Sequence, residues 1–460
     1  MTIFRMTDAQ HNRLKAHLHD GTGLEAVAVG LCGRGGTLNR PLFSICDIVE
    51  IPYDACRRFP NRVTWPTREL KLLLARARAE GLAVFKIHSH PEGATDFSLL
   101  DDRSDADLFS AIAVKAPGEH ISAVMLPDGE IFARCLDGKR DARRVDRVSL
   151  VGDELIFWDA HTREYVRVCD FDERHRQAFG DHTTHLLSGM SVAVVGVSGT
   201  GSPIVEMLAR LGVGRIVLVE FDIVETKNLN RIWGTCRKDA ERRVNKARAI
   251  KAHVHSLGLG TEIVVVEDRI ESPEAIALVS GCDIAFGCMD SVEGRDVLNR
   301  LATFYSMPYI DIGVRLDADG NGGIASISAG LHYLVPGRSS LRTRGVYTEA
   351  DLRAEHLYRT DPDFYADQLR RGYIKGVNVD RPAVISINTS VASAAVNELL
   401  ARLHPFRTRP NSEFAIQKIL FTHGRLVNRV EGCDDPLLSP CLGKGNTEPP
   451  LLLPRLSAAA

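Results

Sequence analysis

The chain has 460 residues, of which 44% are hydrophobic and 25% charged, a composition typical of a folded soluble protein that excludes wholesale disorder. Its 57 lysines and arginines nearly cancel 59 aspartates and glutamates, so a net charge of −2 favours neither nucleic acid nor a membrane surface as a partner. Because single hydrophobic cores stop growing at about 250–300 residues, this length predicts two or three domains.

The ten cysteines contain no C-x-x-C pair, which indicates reduced thiols. The amino terminus lacks the apolar region of a signal peptide, and no uncharged apolar run reaches the ~18 residues of a membrane span. We therefore expect a cytoplasmic protein with no membrane partner.

Apolar periodicity predicts the elements of the chain in order. The first part is expected to hold helices at 8–19 and 67–80 and strands at 24–31, 82–87, 121–126 and 130–134. From about residue 190 the pattern changes to strands at 192–195, 215–219, 263–266 and 283–286, with a helix at 203–211. Strands that alternate with helices favour a parallel, doubly wound α/β sheet.

These patterns divide the chain into four parts. We assign residues 1–150 to a first domain, 151–169 to a linker, 170–430 to a second domain and 431–460 to an extended tail. The tail is rich in proline, leucine and glycine, so no regular element is predicted there.

The first chemical motif follows the strand at 82–87. His88 and His90 are two residues apart, which places both imidazoles on one side of the strand end, and Asp101 can supply a third ligand. Such a set holds catalytic zinc and leaves the fourth position to water, whose pKa zinc lowers toward ~7. Glu25, an acid inside an apolar strand, is our candidate for the base that takes the proton from this water.

The full motif reads His88-Ser89-His90-Pro91, six further residues, then Ser98 and Asp101. Ser98 is a candidate to hydrogen-bond the developing oxyanion. This motif resembles the signature of the JAMM (JAB/MPN) metalloproteases, H-[ST]-H-P-x6-S-x-x-D preceded by a glutamate. The resemblance implies a mixed α/β domain that hydrolyses a peptide or isopeptide bond next to the C-terminal glycine of a ubiquitin-like protein.

The same residues have a structural interpretation that is compatible with metal binding. Ser98 and Asp101 match a capping box for a helix that begins at Leu99. The next two acids of that helix, Asp102 and Asp105, are expected to be solvated.

The second motif begins where the strand at 192–195 enters a glycine-rich turn. Gly196, Gly199 and Gly201 let the backbone approach phosphates at the positive end of the following helix. Glu220 closes the next strand, at the position where an acid holds a ribose hydroxyl. Alone, this turn would suggest NAD or FAD.

The polar residues that follow argue against hydride transfer. They are Asp222, Asn228, Arg231, Lys246 and Asp290. Attack of a carboxylate on the α-phosphate of ATP needs cations beside the phosphates and an acid for Mg²⁺. The set is similar to the adenylation domain of the ubiquitin-activating enzymes and their bacterial ThiF/MoeB relatives, with Ser198 at a usual glycine position and Glu220 at a usual aspartate position.

This second resemblance covers approximately residues 170–400 and implies a Rossmann-like fold. It implies that ATP is bound by Gly196, Gly199, Gly201, Glu220, Asp222, Asn228, Arg231, Lys246 and Asp290, with Asp290 also holding Mg²⁺. Arg231 and Lys246 are expected to act in catalysis. Arg176 resembles the family's arginine finger, which is donated to a partner subunit, and this implies a homodimer.

The second domain lacks a sulfur nucleophile in the place where such families carry one. No cysteine occurs between residues 289 and 432. An acyl-adenylate would then be intercepted by a separate protein or pass to a nucleophile of this chain, for which the candidates are Ser339, Ser340, Thr343, Cys433 and Cys441.

Together the two resemblances imply a bifunctional enzyme with Zn²⁺, ATP and Mg²⁺ as cofactors. Its partner would be a small β-grasp ubiquitin-like protein with a C-terminal glycine, which one domain processes and the other activates, as in prokaryotic conjugation modules that include a conjugating enzyme. Two alternatives stay open. One is sulfur-carrier activation for thiocarboxylate formation, and the other is a non-catalytic binding scaffold.

Overall fold

The structure is a computed structural model that describes residues 1–139, 142–160, 170–319, 321, 323–371 and 383–457. The chain divides into two compact units. The first comprises Met1–Tyr165, Thr303–Ser306 and Pro440–Ala460, and the second comprises Val166–Ala302 and Met307–Ser439. No helix in the described ranges combines the length and the apolar character that crossing a membrane requires.

The first unit is built on a mixed β-sheet. Its strands are β1 (Ile3–Thr7), β2 (Val27–Thr37), β3 (Arg40–Glu50), β4 (Arg57–Phe59), β5 (Arg62–Thr64), β6 (Ala83–Ser89), β7 (His120–Met125), β8 (Ile131–Leu136), β9 (Arg143–Arg144), β10 (Arg147–Val151) and β11 (Leu155–Asp159). Its helices are α1 (Asp8–Leu18), α2 (Leu70–Glu80) and α3 (Leu99–Lys115). The sheet runs in the order β11-β10-β1-β3-β2-β6-β7-β8-β9, while β4 and β5 form a separate hairpin.

Side-chain alternation along β6 determines which helix each residue faces. Phe85 belongs to a core cluster with Leu14 of α1, whereas Val84 belongs to the cluster of Phe109 on α3. Because successive side chains of a strand point to opposite faces, His88 lies on the same face as Val84. The sheet therefore directs His88 toward the helix that carries the rest of the motif.

The second unit is also built on one sheet. Its strands are β12 (Ser191–Val195), β13 (Arg215–Val219), β14 (Glu262–Val266), β15 (Ile284–Gly287), β16 (Tyr309–Ala318), β17 (Ile324–Leu334), β18 (Ile416–Leu420) and β19 (Arg425–Arg429). Its helices are α4 (Glu173–Gly189), α5 (Gly201–Arg210), α6 (Arg237–Glu241), α7 (Lys246–Leu257), α8 (Pro273–Ser280), α9 (Val292–Phe304), α10 (Glu349–Thr360), α11 (Pro362–Arg370) and α12 (Ile385–Leu403).

The strand order of this sheet is β14-β13-β12-β15-β16-β17-β18-β19. Strands β12 to β16 are parallel, which confirms the predicted doubly wound α/β arrangement, and antiparallel strands β17 to β19 extend it. Chain order reverses at β12, and ligands of such sheets bind beyond the carboxyl ends of the strands at this switch point. The glycine-rich turn leaves β12 at that place.

One predicted element is shifted, and the shift moves a site residue. The strand expected at 24–31 begins only at Val27, so the placement of Glu25 inside it is wrong. The Glu25 backbone N–H donates to the carbonyl oxygen of Phe59 at 2.9 Å, which ties this residue to the β4–β5 hairpin rather than to the main sheet. Glu25 is nevertheless buried.

Two segments outside the predicted domains carry structure. Strand β11 occupies 155–159, within the span assigned to the linker, while residues 161–169 and 458–460 lie outside the described residues. Residues 440–457 of the tail belong to the first unit, where the Gly33 N–H donates to the Gly443 oxygen at 3.0 Å and the Asn446 N–H to the Arg34 oxygen at 2.7 Å. Main-chain bonds of this kind leave no side-chain pattern in a sequence.

Candidate functional sites

The first site is assembled from the end of β6 and the beginning of α3. Strand β6 is buried along its whole length and delivers His88, with His90 one residue beyond it. Ser98 caps α3: its hydroxyl accepts from the Asp101 N–H, and its own N–H donates to the Asp101 carboxylate, which is the capping box expected from the sequence. The cap also fixes the carboxylate of Asp101 beside the two imidazoles.

The ligand atoms of His88, His90 and Asp101 all lie within 4.8 Å of one another. Asp101 Oδ1 is 3.0 Å from His88 Nε2, and Oδ2 is 3.5 Å from His90 Nε2. His90 Nδ1 is 2.7 Å from the Ala94 carbonyl oxygen, which can only accept, so Nδ1 carries a proton and Nε2 is the ring nitrogen left to bind a metal. Two imidazole nitrogens and a carboxylate that converge in this way fit a zinc ion.

Burial sets the protonation of this site. Burial, together with the neighbouring Lys86 ammonium, lowers the pKa of His88 to about 4, so the ring is neutral and able to bind a metal at physiological pH. Burial raises the pKa of Glu25 to about 7. A carboxyl group whose pKa lies near neutrality is suited to take up a proton and release it again.

Glu25, His88 and Asp101 line one cavity of about 470 Å³. The β4–β5 hairpin forms another wall of it through residues 61–64, followed by Trp65. Ser98 is exposed, and its Oγ donates to Asp101 Oδ2 at 2.7 Å. The structure thus places two of the predicted zinc ligands and the predicted base around one cavity, and the carboxylate of the predicted ligand Asp101 holds Ser98.

The structure reveals a buried ion-pair network beneath this site that the sequence analysis missed. Lys86 Nζ lies 2.5 Å from Asp105 Oδ1, and Arg134 Nη2 lies 2.7 Å from Asp105 Oδ2. Asp105 is fully buried, so the expectation that it is solvated is wrong. The network ties α3 to β6 and β8, and a lysine inside the apolar strand β6 is the sequence signal that points to it.

The second site begins at the turn after β12. Gly196 has φ +87°, a region that L side chains rarely adopt, and a Cβ there would lie 2.8 Å from the Cys288 carbonyl oxygen. A Cβ at Gly201 would collide with the carbonyl oxygen of Gly196, and one at Gly199 would collide with Asn388. The backbone of the turn therefore lies so close to its neighbours that these three positions leave no room for a side chain.

The acids after β13 are held by this turn and by α7. Glu220 is buried and accepts from the Val197 and Asp222 N–H groups, each at 2.9 Å. Asp222 Oδ2 lies 2.8 Å from Lys246 Nζ. Glu220, predicted for the ribose, is thus bonded to the glycine turn, and it is linked through Asp222 to Lys246, both of which were predicted to bind ATP.

Of the remaining predicted residues, Arg231 lies beside the glycine turn, while Asn228 and Asp290 follow the two strands that flank β12. Asn228 is buried, and its Oδ1 accepts from the Glu225 N–H at 3.0 Å. A Cβ on Gly199 would lie 3.5 Å from Arg231 Cδ, so the Arg231 side chain passes beside the turn. Asp290 is exposed and follows β15, the strand that pairs with β12 on the other side.

Arg176 lies elsewhere. It lines a cavity of about 290 Å³ together with Ser188, Gly214 and Thr261, which precede strands β12, β13 and β14. These residues mark the amino ends of the parallel strands, whereas the glycine turn and Asp290 mark the carboxyl ends. Within one chain the structure does not bring Arg176 to the glycine turn.

The candidate transfer nucleophiles differ in accessibility. Ser339 and Ser340 are buried; Ser339 Oγ donates to Glu431 at 3.1 Å and Ser340 Oγ to Asp435 at 2.5 Å. Thr343 is exposed and bonded to the backbone of Ser340. Cys433 is exposed, and Cys441 is buried. Burial and carboxylate partners indicate a structural role for the two serines.

Comparison with known proteins identifies the second unit. Residues 173–425 match the sequence profile of the ThiF family, which is more than half of the chain. The chain belongs to the ThiF family. This ThiF-family chain is 34% identical over 124 residues to the adenylyltransferase and sulfurtransferase MOCS3 of Mus musculus, covering 27% of this chain and 26% of that protein.

It is also 33% identical over 119 residues to the SAMP-activating enzyme E1 of Haloferax volcanii, covering 26% of this chain and 43% of that enzyme. It therefore spans less than half the length of these curated relatives. Among solved structures, E. coli MccB with MccA-N7isoASN aligns at 19% identity and a TM-score of 0.46, covering 59% of this chain and 74% of that one.

Proposed function

We propose that the second unit uses ATP to adenylate the C-terminal glycine of a small β-grasp ubiquitin-like protein. The relatives' names support this, since one is an adenylyltransferase and sulfurtransferase and the other an activating enzyme. The observation that carries the proposal is the glycine turn at the switch point of the sheet, with Arg231 beside it and Lys246 paired with Asp222 after the neighbouring strand β13.

Each residue has a role in this reaction. The turn from Gly196 to Gly201 receives the phosphates, and Glu220 with Asp222 holds the ribose. A terminal carboxylate of the partner attacks the α-phosphorus of ATP. The bond between the α-phosphorus and the oxygen that links it to the β-phosphorus breaks, and pyrophosphate leaves. Arg231 and Lys246 stabilise negative charge on the phosphates. Asp290 would hold Mg²⁺, which neutralises phosphate charge when bound.

The proposal is tested by incubating the chain with ATP, Mg²⁺ and purified β-grasp proteins that end in glycine, followed by intact-mass analysis of each partner. One partner should gain a single adenylyl group at its C-terminus, which hydroxylamine converts to a hydroxamate. A chain that binds ATP yet adenylates none of these proteins, and releases no pyrophosphate with them, contradicts the proposal.

We propose a second activity for the first unit, hydrolysis of the bond that follows the same glycine. Its support is the cluster of His88, His90 and Asp101, two of which, His88 and Asp101, line one cavity with Glu25. Zinc bound there would activate a water molecule. Glu25 would take a proton from that water and return it to the leaving amine, and Ser98 would hydrogen-bond the oxyanion once its hydroxyl turns from Asp101.

This activity is tested with a β-grasp protein extended beyond its glycine by a short peptide. The zinc-loaded chain should release that peptide and expose the glycine, and Glu25→Gln should not. Equal cleavage by the two proteins contradicts the proposal.

We further propose that Arg176 acts across a homodimer. Its distance from the glycine turn of its own chain supports donation to a partner subunit. Mixing Arg176→Ala protein with Asp290→Ala protein should restore part of the adenylation that each lacks, because a mixed dimer contains one complete site. No recovery, with subunit mixing confirmed by mass, contradicts donation between subunits.

Activation for sulfur transfer is the alternative that the name of the Mus musculus relative favours. The two routes are distinguished by the fate of the partner. Sulfur transfer leaves a thiocarboxylate on its glycine, whereas conjugation, with a conjugating enzyme added, leaves an amide bond to a lysine of a target. A scaffold without catalysis would give neither product.

A further inference from the structure

A separate cavity of about 380 Å³ lies in the second unit beside Asp290. Strands β16 to β19, the part of the sheet beyond the switch point, contribute Arg315, His332, Lys418 and Arg429 to its walls. Asp290, Arg295 and residues 344–346 complete them. None of the four strand residues belongs to the motifs that predicted the adenylation site. The cavity therefore carries basic side chains and a histidine to which the proposed function assigns no role.

His332 supplies a buried polar group without a partner. The residue is 7% exposed, and its Nδ1 has no hydrogen-bond partner within the described part of the chain. Burial, with Arg344 and Arg295 nearby, lowers the pKa of His332 to about 3, so the ring is neutral. A buried neutral imidazole that lines a cavity can donate a hydrogen bond to a ligand without being charged.

The charges around the cavity leave an excess of cations. Of its two acids, Asp290 is exposed and is the residue to which the proposed function assigns Mg²⁺. Asp311 is fully buried and lies 3.2 Å from Arg295 Nε, with the Tyr309 hydroxyl 2.7 Å away. Lys418 and Arg429 are exposed, and no carboxylate of the described residues lies within ion-pair distance of either. An anionic group that enters the cavity would meet two unpaired cations.

The order of the strands indicates from which side of the glycine turn the partner's carboxylate reaches ATP, an inference that rests on the proposed function. The acids for the ribose follow β13 on one side of the glycine turn, and Asp290 follows β15 on the other. The nucleoside then occupies the β13 side, so the carboxylate that attacks the α-phosphate must come from the β16 side. The cavity lies on this side and includes Asp290, so an extended peptide that approaches here would pass it before its terminal glycine reaches the phosphates.

We infer that this cavity recognises an acidic side chain, glutamate or aspartate, a few residues before the terminal glycine of the partner. Lys418 and Arg429 attract the carboxylate, and His332 donates a hydrogen bond to it. Charge complementarity of this kind selects the partner and suppresses tails with a basic residue at that position.

The test uses fluorescent synthetic peptides that end in glycine and carry glutamate, glutamine or lysine at each of the four preceding positions in turn. Binding to the full chain is measured by anisotropy. At one position, glutamate should bind ~10-fold more tightly than lysine. The double variant Lys418→Ala, Arg429→Ala should lose this preference, whereas Arg425→Ala, on β19 outside the cavity, should keep it.

A charge-reversal variant distinguishes a loss of recognition from misfolding of the double variant. Lys418→Glu should prefer the lysine peptide at the same position, which a misfolded protein cannot do. Equal binding of all peptides, absence of binding, or a preference that survives in the double variant would each overturn the inference.

Pyrophosphate exchange with the same peptides separates this inference from the proposed function. Exchange without any preference for acid leaves adenylation standing and overturns the inference. If the peptides show an acidic preference in binding that depends on Lys418 and Arg429 but support no pyrophosphate exchange, recognition by the cavity is supported. The same result counts against adenylation.

Discussion

Lys246 and Asp222 are joined twice: the Lys246 N–H donates to the Asp222 carbonyl oxygen at 2.9 Å, and the side-chain Nζ lies 2.8 Å from Oδ2. The lysine side chain is 8% exposed, so its ammonium group is held in place before any nucleotide binds. Asn245 caps α7 just before it and donates to the Glu220 carbonyl oxygen at 2.9 Å. The beginning of α7 is thereby fixed to the loop after β13.

This arrangement predicts that Lys246→Ala weakens ATP binding by ~10-fold or more, because a cation directed at the phosphates is lost. Isothermal titration calorimetry with ATP measures the effect. Lys251→Ala, five residues further along the same helix, is the matched control and should bind as the wild type does. Equal affinities of the two variants would remove Lys246 from the phosphate site.

Glu25→Gln should reduce cleavage after the partner's glycine by ~100-fold or more, because an amide cannot accept and return a proton. Release of the C-terminal peptide, followed by chromatography, gives the rate. Glu154→Gln, an exposed acid in the turn between β10 and β11, should cleave normally. Full activity in Glu25→Gln would assign the base to another residue.

Zinc should raise the unfolding temperature of the first unit. At a free concentration one hundred times its dissociation constant, a ligand that binds only the folded state adds about 2.7 kcal/mol of stability. Thermal unfolding with zinc and with a chelator measures this shift. His88→Ala and Asp101→Ala should abolish it, whereas Asp102→Ala, one residue along α3, should retain it. A shift that persists in the ligand variants would place the zinc elsewhere.

His120 should make the first unit sensitive to acid. Its Nδ1 accepts from the Val84 N–H at 3.0 Å and its Nε2 lies 2.8 Å from the Ala116 oxygen, so the buried ring is neutral. Burial lowers its pKa to about 4 from 6.5. The folded state then binds fewer protons than the unfolded state between these values, so stability is full above about pH 6.5 and declines as pH falls to about 4.

The loss due to His120 should approach about 3 kcal/mol, from 1.36 kcal/mol for each unit of pKa shift. Urea unfolding of the first unit at pH 7 and pH 4 measures it. His120→Gln should lose less stability over this range than the wild type, and His423→Gln, an exposed histidine, should match the wild type. An identical acid dependence in His120→Gln would contradict a neutral buried ring.

Much of both sites could be predicted because their residues are close in sequence to the turns that position them. The glycine turn, for example, follows β12 directly, and strand alternation places His88 and His90. The boundaries were less predictable. Glu25 precedes β2 because its N–H pairs with Phe59, a bond between distant backbone segments.

Other features depend on long-range packing that one sequence does not reveal. Asp105 had the pattern of a solvated helix residue, yet Lys86 and Arg134 neutralise it in the core. The cavity that contains His332 is formed by strands from distant parts of the chain, with no motif to mark it. The spacing of residues predicts local geometry, whereas contacts between distant segments depend on the complete fold.

The central claim is that the residues at the switch point activate a terminal carboxylate with ATP. ATP–pyrophosphate exchange, measured with β-grasp proteins that end in glycine, tests it most directly. The account predicts exchange with the wild type and with Glu25→Gln alike, and a loss of ~100-fold or more in Asp290→Asn, which lacks the carboxylate for Mg²⁺. Undiminished exchange in Asp290→Asn, or none in the wild type with any such partner, would contradict it.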